Sequence, residues 1–259
     1  MIVAALLAIP VGYVCYYGVS RLSVKNQIAK KIDGLRKQGL PVTTRELNQW
    51  QSDAAAISNA ATVLTNAFAH LLIGNTNSAL LPILGKGKLP STDQPLPEDM
   101  KQAIAENVAS NLLAMELVRE GLTNASCRYP MDLEPGLAAL LPHLSKLTAT
   151  SKALALKALL QIENGEGDAT VNTILEMLAL ADTIRDEPLL ISHLVRISAY
   201  RTAVTCLERL LARCHLDDQQ LRRLADAFQK LETNNNLSGP IAGELCAGEK
   251  LFKGAFKDM

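Results

Sequence analysis

The sequence is poor in aromatic residues and has no excess of either charge. Aromatic residues make up 4% of the 259 residues, and 26 basic side chains balance 26 acidic ones. A nucleic-acid-binding chain usually carries a basic excess, because contacts to phosphates supply much of its affinity. No nucleic-acid partner is therefore expected.

The sequence also lacks the spacings that mark common metal, redox and nucleotide sites. Its cysteines are dispersed and odd in number, and its four histidines form no HExxH motif. A Walker loop, a GxSxG elbow and a GxGxxG turn are all missing. These absences predict no metal and no cofactor, and they favour a protein that is not an enzyme without excluding one. The five cysteines are Cys15, Cys127, Cys206, Cys214 and Cys246.

Alternating runs of Val, Ile and Thr, which strands require, are missing as well. Ala and Leu, which are good helix formers, are abundant instead. Hydrophobic residues make up 48% of the chain and charged residues 20%, which is a folding composition. We predict an all-α protein: a single transmembrane helix followed by an irregular helical bundle or a stack of αα-hairpins.

The N-terminal segment is the most apolar part of the chain. Residues 2–20 carry no charge and number about 19, close to the roughly 20 that span a bilayer. A cleaved signal peptide would need a basic region before this run and a small-residue cleavage site after it. A buried core helix rarely starts at the first residue without a polar face. We therefore predict a retained single-pass anchor over residues 1–22, which contacts the lipid of a cell inner membrane through residues 2–20.

The side of the membrane on which the body lies stays open. Arg21 and Lys25 directly follow the anchor, and more basic residues come after them. Under the positive-inside rule these charges place the body in the cytoplasm. A basic stub before Ile2, outside the present sequence, would reverse that orientation.

The rest of the chain divides into a stalk and a helical domain. Residues 23–40 predict an amphipathic basic stalk helix, and residues 41–259 predict a helical domain with possible substructure at 41–146 and 147–259. Thr43 and Glu46 have the spacing of a capping box. The first half predicts helices over 44–50, 53–72, 98–120 and 137–144, with a long loop over 74–97.

The second half is more regular and predicts helical hairpins. Helices are expected over 147–164, 168–186, 188–214 and 217–232, and a last one after Pro240. The stretch ALALKALLQIENGEGDATVNTILEMLALA resembles a tetratricopeptide-type hairpin, with Leu160 standing where Ala or Gly is usual. It supports a stack of hairpins without a second copy in register.

Four segments after the apolar N-terminus carry a family resemblance. They are GLPVTTRELNQW, CRYPMD, DEPLLISHLVRISAY and GEKLFKGAF. In this order they resemble an uncharacterised group of bacterial proteins that combine an N-terminal membrane helix with an Ala/Leu-rich helical body. The group has no assigned activity, so the resemblance implies an architecture only. Similar members carry basic residues before the membrane helix and face away from the cytoplasm, whereas this sequence has none before Ile2.

The first candidate site is a polar stripe on an otherwise apolar helix. His193, Arg196 and Tyr200 recur at i, i+3 and i+7. A buried Arg is costly unless it is paired. We therefore expect Arg196 to meet a carboxylate, either Glu163 or Asp182. The stripe is then a polar tie between helices; the alternative is a pocket with Arg196 as an anion clamp and His193 as an acid or base.

The second candidate is Cys127, which precedes Arg128 in a predicted loop. A neighbouring Arg can lower the pKa of a thiol and make it a nucleophile. The alternative is a packed loop in which Arg128 pairs with Asp132.

Two functions are compatible with these features. The first is a membrane-anchored helical scaffold or subunit that acts through contacts with a protein partner or within an oligomer. The alternative is a membrane-bound enzyme or small-ligand binder with a cleft between helical hairpins around His193 and Arg196.

Overall fold

A computed structural model gives the fold of most of the chain. Across the described residues every regular element is a helix and none is a strand, so the all-α prediction is confirmed. No helix within these residues is both long and apolar enough to cross a bilayer. Nearly all of the predicted anchor at 2–20 lies outside them. The structure describes residues 16, 20–24, 26–27, 29–53, 59–72, 78–124, 126–233 and 237–255.

The helical domain contains nine α-helices within the described residues. A short 3-10 helix, Gly136–Ala138, lies between the fourth and the fifth. The α-helices are α1 (Thr44–Asp53), α2 (Ala60–His70), α3 (Glu98–Ser110), α4 (Leu112–Gly121), α5 (Pro142–Glu163), α6 (Gly167–Asp182), α7 (Leu190–Arg213), α8 (Asp218–Thr233) and α9 (Ser238–Ala255).

The stalk is helical at residues 29–37 and at the described positions between 20 and 27. It ends at Gly39, whose φ of +74° lies in the left-handed region that favours glycine. Arg36 at its end forms a 3.0 Å ion pair with Glu46 of α1. Glu46 also completes the predicted cap, because its backbone N–H donates to Thr43 Oγ1 at 3.2 Å.

Three helices form the centre of the domain. Helices α5 and α6 make a hairpin, and α7 packs against both. The hairpin turns at Gly165, which has a φ of +74°. Leu154, Ile174 and Met177 are fully buried between these helices and give the core its apolar content.

Two further layers complete the domain. Helices α2 and α3 pack on α5, α4 packs on α2, and α8 packs on α6; all of them extend the same core. On the other side, α9 packs on α1, on the 3-10 helix and on the start of α7, around a second apolar cluster. That cluster contains Leu47, Leu133, Leu189 and Cys246.

Several predicted boundaries in the first half are wrong. The predicted helix at 98–120 is interrupted at Asn111, whose side chain accepts a hydrogen bond from Leu72 N at 2.8 Å. The predicted helix at 137–144 is wrong, because Pro142 is the first residue of the 22-residue α5. The predicted division at 146/147 therefore falls inside α5. The helix predicted at 53–72 is described only as Ala60–His70 on its C-terminal side.

Candidate functional site

Helix α7 buries unusually polar side chains and exposes apolar ones. Its buried side carries His193, Arg196 and Arg209 among apolar residues such as Ala203 and Leu210, and the two arginines are only 2% and 3% exposed. Its solvent side carries apolar residues, whereas an ordinary surface helix turns its apolar residues inward. We call these apolar side chains the outer face of α7: Leu190, Ile191, Leu194, Ile197, Val204 and Leu211, each at least 37% exposed.

Arg196 is held by a network with one carboxylate. Its Nη2 donates to Asp182 Oδ1 at 2.9 Å, and its Nε donates to the Tyr200 hydroxyl at 2.7 Å. Tyr200 in turn donates to the same Asp182 oxygen at 2.9 Å. Burial, together with the Asp182 charge, raises the pKa of Tyr200 and keeps it protonated. The expected carboxylate partner of Arg196 is confirmed, and it is Asp182 rather than Glu163.

His193 lies beside this network without joining it by a hydrogen bond among those of the described residues. Burial, with a smaller effect from the Arg196 charge, lowers its pKa and favours the neutral imidazole. His193, Arg196 and Tyr200 line a groove of about 270 Å³, which α8 closes with Phe228. An anion could reach Arg196 there only by competing with Asp182, so a clamp role for Arg196 stays a prediction.

Arg209 and Arg213 tie the long loop to the core. Arg209 Nη1 donates to the backbone oxygens of Pro90 and Ser91, both at 3.3 Å. Both arginines also pair with Glu163, each at 3.3 Å. Residues 78–97 are irregular, as the sequence predicts, but these bonds hold the loop against α7. Arg209 is a residue that the sequence reasoning missed.

Cys127 does not have the properties of a nucleophile. Burial raises the pKa of its thiol to about 11, and the nearby Arg128 offsets this only weakly. Of the two alternatives for Cys127, the lowered pKa is therefore not supported, because loss of hydration outweighs the neighbouring charge. The predicted pairing of Arg128 with Asp132 is also wrong: Arg128 pairs with Asp186 at 3.6 Å and donates to the Asp186 backbone oxygen at 2.9 Å.

Cys127 also lies apart from the groove of His193. It lines a different cleft of about 320 Å³, whose walls include Asp182 and Arg185. Asp182 links the two predicted sites, since it lines this cleft and pairs with Arg196. The three predicted residues His193, Arg196 and Cys127 do not converge on one cavity.

A buried histidine–carboxylate pair is the main polar feature that the sequence reasoning missed. His143 Nε2 lies 2.8 Å from Glu187 Oε1, and the two side chains are 7% and 3% exposed. The Tyr129 ring stacks on the His143 ring with centroids 4.6 Å apart. The pair could not be predicted from a local pattern, because His143 and Glu187 are far apart in sequence and neither belongs to a recognisable motif.

No family model, curated protein or solved structure matches this chain. The family resemblance and the tetratricopeptide-like hairpin therefore stay predictions. A helical fold does not identify a function, so function has to be inferred from the side chains and surfaces of the chain itself.

Proposed function

We propose that the chain is a membrane-anchored helical scaffold that self-associates through the outer face of α7. The observation that carries this proposal is the outer face itself: apolar side chains exposed along a 24-residue helix, of which Ile197 and Val204 also line the groove closed by α8. Contiguous apolar surface of this kind marks interaction sites on soluble domains. Single exposed apolar residues elsewhere need no such explanation.

The spacing of the outer face is that of a seam between two packed helices. The steps between Leu190, Leu194 and Ile197 are four and three residues, and the same alternation leads on to Val204 and Leu211. Such a pattern keeps one face of a helix turned toward a second helix along its whole length. The seam therefore has the length and the periodicity to accept another helix.

Charges in the seam favour a second copy of this chain as the occupant. The two seam positions that are not apolar are Arg201 and Glu208, both exposed and absent from the ion pairs of the described residues. They are seven residues apart on one helix, about 10.5 Å along its axis, which is too far for a direct pair. In an antiparallel two-fold arrangement centred between Val204 and Thr205, Arg201 of one copy faces Glu208 of the other, twice, and the two copies of α7 overlap from Arg196 to Arg213.

The membrane part of the proposal rests on the sequence. Residues 2–20 are uncharged and long enough to span a bilayer. Anchoring would hold two copies in one plane and raise their effective concentration, so a weak interface along the seam would suffice for dimer formation.

Membrane anchoring is tested by flotation of the chain with lipid vesicles and by its resistance to alkaline extraction. Replacing Leu7 and Val11 by Arg should release the chain, and release of the unaltered chain would contradict anchoring.

Self-association is tested by the mass of the full chain in lipid nanodiscs or mild detergent. Light scattering and native mass spectrometry should show a dimer. Leu211→Glu places a charge in the seam and should give monomers. Leu112→Glu is the matched control, because Leu112 on α4 is 51% exposed and Leu211 is 53% exposed. A solitary monomer for the unaltered chain, or equal effects of both variants, would refute the proposal.

Exchanging the charges of Arg201 and Glu208 tests whether a second copy of the chain occupies the seam. Arg201→Glu alone should weaken the dimer by at least about tenfold in Kd, or about 1.4 kcal/mol, because it puts like charges opposite each other. Arg201→Glu with Glu208→Arg restores opposite charges and should recover the dimer. If the double variant stays as weak as the single one, a second copy in this antiparallel register is not the occupant.

A further inference from the structure

The buried pair of His143 and Glu187 borders a cleft that faces solvent. His143 is the second residue of α5, and Glu187 lies in the connection between α6 and α7. Within the described residues, neither carboxylate oxygen of Glu187 accepts a hydrogen bond, and the 2.8 Å contact from His143 Nε2 is poorly aligned for one. A buried carboxylate without hydrogen bonds is costly, so it needs a compensating positive charge.

His143 lies against that carboxylate, and the histidine ring is fixed between Glu187 and the stacked Tyr129. Tyr129 is itself anchored, because its hydroxyl lies 3.2 Å from Thr183 Oγ1. Since Nε2 faces Glu187, Nδ1 is the ring nitrogen left for a ligand.

The cleft beside His143 has a volume of about 380 Å³, which is near the lower end for small-molecule sites. Its walls are mainly apolar and come from α2, from the segment before the 3-10 helix and from the start of α5. Lys146, which follows His143 by one turn, is exposed on the rim and takes no part in the ion pairs of the described residues. The lining residues are Thr65, Phe68, Ala69, Tyr129, Pro130, Pro142, His143 and Lys146.

We propose that this cleft binds a small apolar monocarboxylate, with its carboxylate between Lys146 and His143 and its apolar body against Phe68 and Pro130. The charges favour this class of ligand. Lys146 brings a positive charge to the rim of a mainly apolar cleft, and among the described residues no carboxylate belongs to the lining of that cleft. One carboxylate on an apolar body matches both features, and the volume excludes a long chain.

The site is independent of self-association through α7, so the two proposals can fail separately. The test is a saturation-transfer NMR titration of the full chain in lipid nanodiscs with benzoate. Benzoate should bind, and benzamide, which has the same shape without the charge, should bind at least about tenfold more weakly. No benzoate binding up to about 10 mM, or equal binding of both probes, would overturn the proposal.

Variants locate the binding. Lys146→Gln should weaken benzoate at least about tenfold, whereas Lys152→Gln, on the same helix, should have no effect. Ala69→Phe should fill the cleft and abolish binding of either probe while leaving its charges in place. Unchanged affinity in Lys146→Gln or Ala69→Phe would place the ligand elsewhere and overturn the proposal.

The role of His143 needs a paired variant, because His143→Gln alone leaves the buried Glu187 without its partner and can unfold the chain. His143→Gln with Glu187→Gln replaces both members of the pair by neutral amides. This double variant should keep its helical circular dichroism and still lose benzoate binding at least about tenfold. Wild-type affinity in the folded double variant would rule out His143 as a ligand contact.

Discussion

Replacing Asp182 by Ala should be among the most damaging single changes to the stability of the domain. Asp182 is the only carboxylate that pairs with Arg196 in the described residues, and Arg196 is 2% exposed. Without Asp182, the guanidinium stays buried and keeps only its hydrogen bond with Tyr200. The perturbation therefore leaves a cation in the interior rather than simply removing a surface ion pair.

The size of the effect follows from this geometry. Removing one partner of a buried pair costs about 3–5 kcal/mol, because the remaining charge has no compensation. Asp182 is itself partly exposed, with 25% of its side chain accessible, so water entering the site should reduce the loss toward about 3 kcal/mol. In a chain of this size that loss lowers Tm by about 6–12 °C.

The assay is thermal unfolding of the full chain followed by circular dichroism. Asp186→Ala is the matched control: it also removes a carboxylate that pairs with Arg185, but its side chain is 51% exposed and its loss should cost under about 1 kcal/mol. Asp182→Ala with Arg196→Met should recover much of the lost stability, since no buried charge remains. Equal losses for Asp182→Ala and Asp186→Ala, or no recovery in the double variant, would refute the reasoning.

Two further predictions concern α9 and Cys127. Gly243→Ala should destabilise the domain by at least about 2 kcal/mol in thermal unfolding, because a Cβ there would overlap the Pro188 carbonyl oxygen, whereas Gly239→Ala, with nothing within 4 Å, should be tolerated. Cys127 should react with iodoacetamide at pH 8 about 100-fold more slowly than a small free thiol, because its pKa is raised from 9.0 to about 11. Since the folded pKa is the higher one, the stabilising contribution of the Cys127 thiol should be lost as pH rises from 9.0 to about 11. Alkylation measured by mass spectrometry at a rate equal to that of the free thiol would contradict the buried setting of Cys127.

The sequence predicted most of the second half of the fold because its helix ends are marked locally. Gly165 adopts a left-handed backbone conformation without steric strain because it has no side chain, so its position predicts the break between α5 and α6. The sequence limited the expected partner of Arg196 to Glu163 or Asp182, because a buried cation on a regular helix needs a carboxylate on the adjacent hairpin.

The features that the sequence did not predict depend on contacts between distant parts of the chain. Asn111 interrupts the predicted helix at 98–120 by bonding to Leu72, 39 residues away. No Gly or Pro marks that position. His143 and Glu187 meet only after α5, α6 and α7 have packed, so neither sequence neighbourhood reveals the pair. For Cys127 the sequence left two alternatives, a thiol with a lowered pKa or a packed loop, because burial, which opposes the effect of Arg128 on the pKa, cannot be seen in a loop sequence.

The buried arginines of α7 have a geometric consequence. Apolar packing alone tolerates small rotations of a helix about its axis, because contacts between hydrocarbon surfaces have no preferred direction. Hydrogen bonds are directional, and α7 is attached to the core by those of Arg196 and Arg209 near its two ends. These bonds fix the angular setting of the helix, and with it the direction in which Leu194 and the rest of the outer face point.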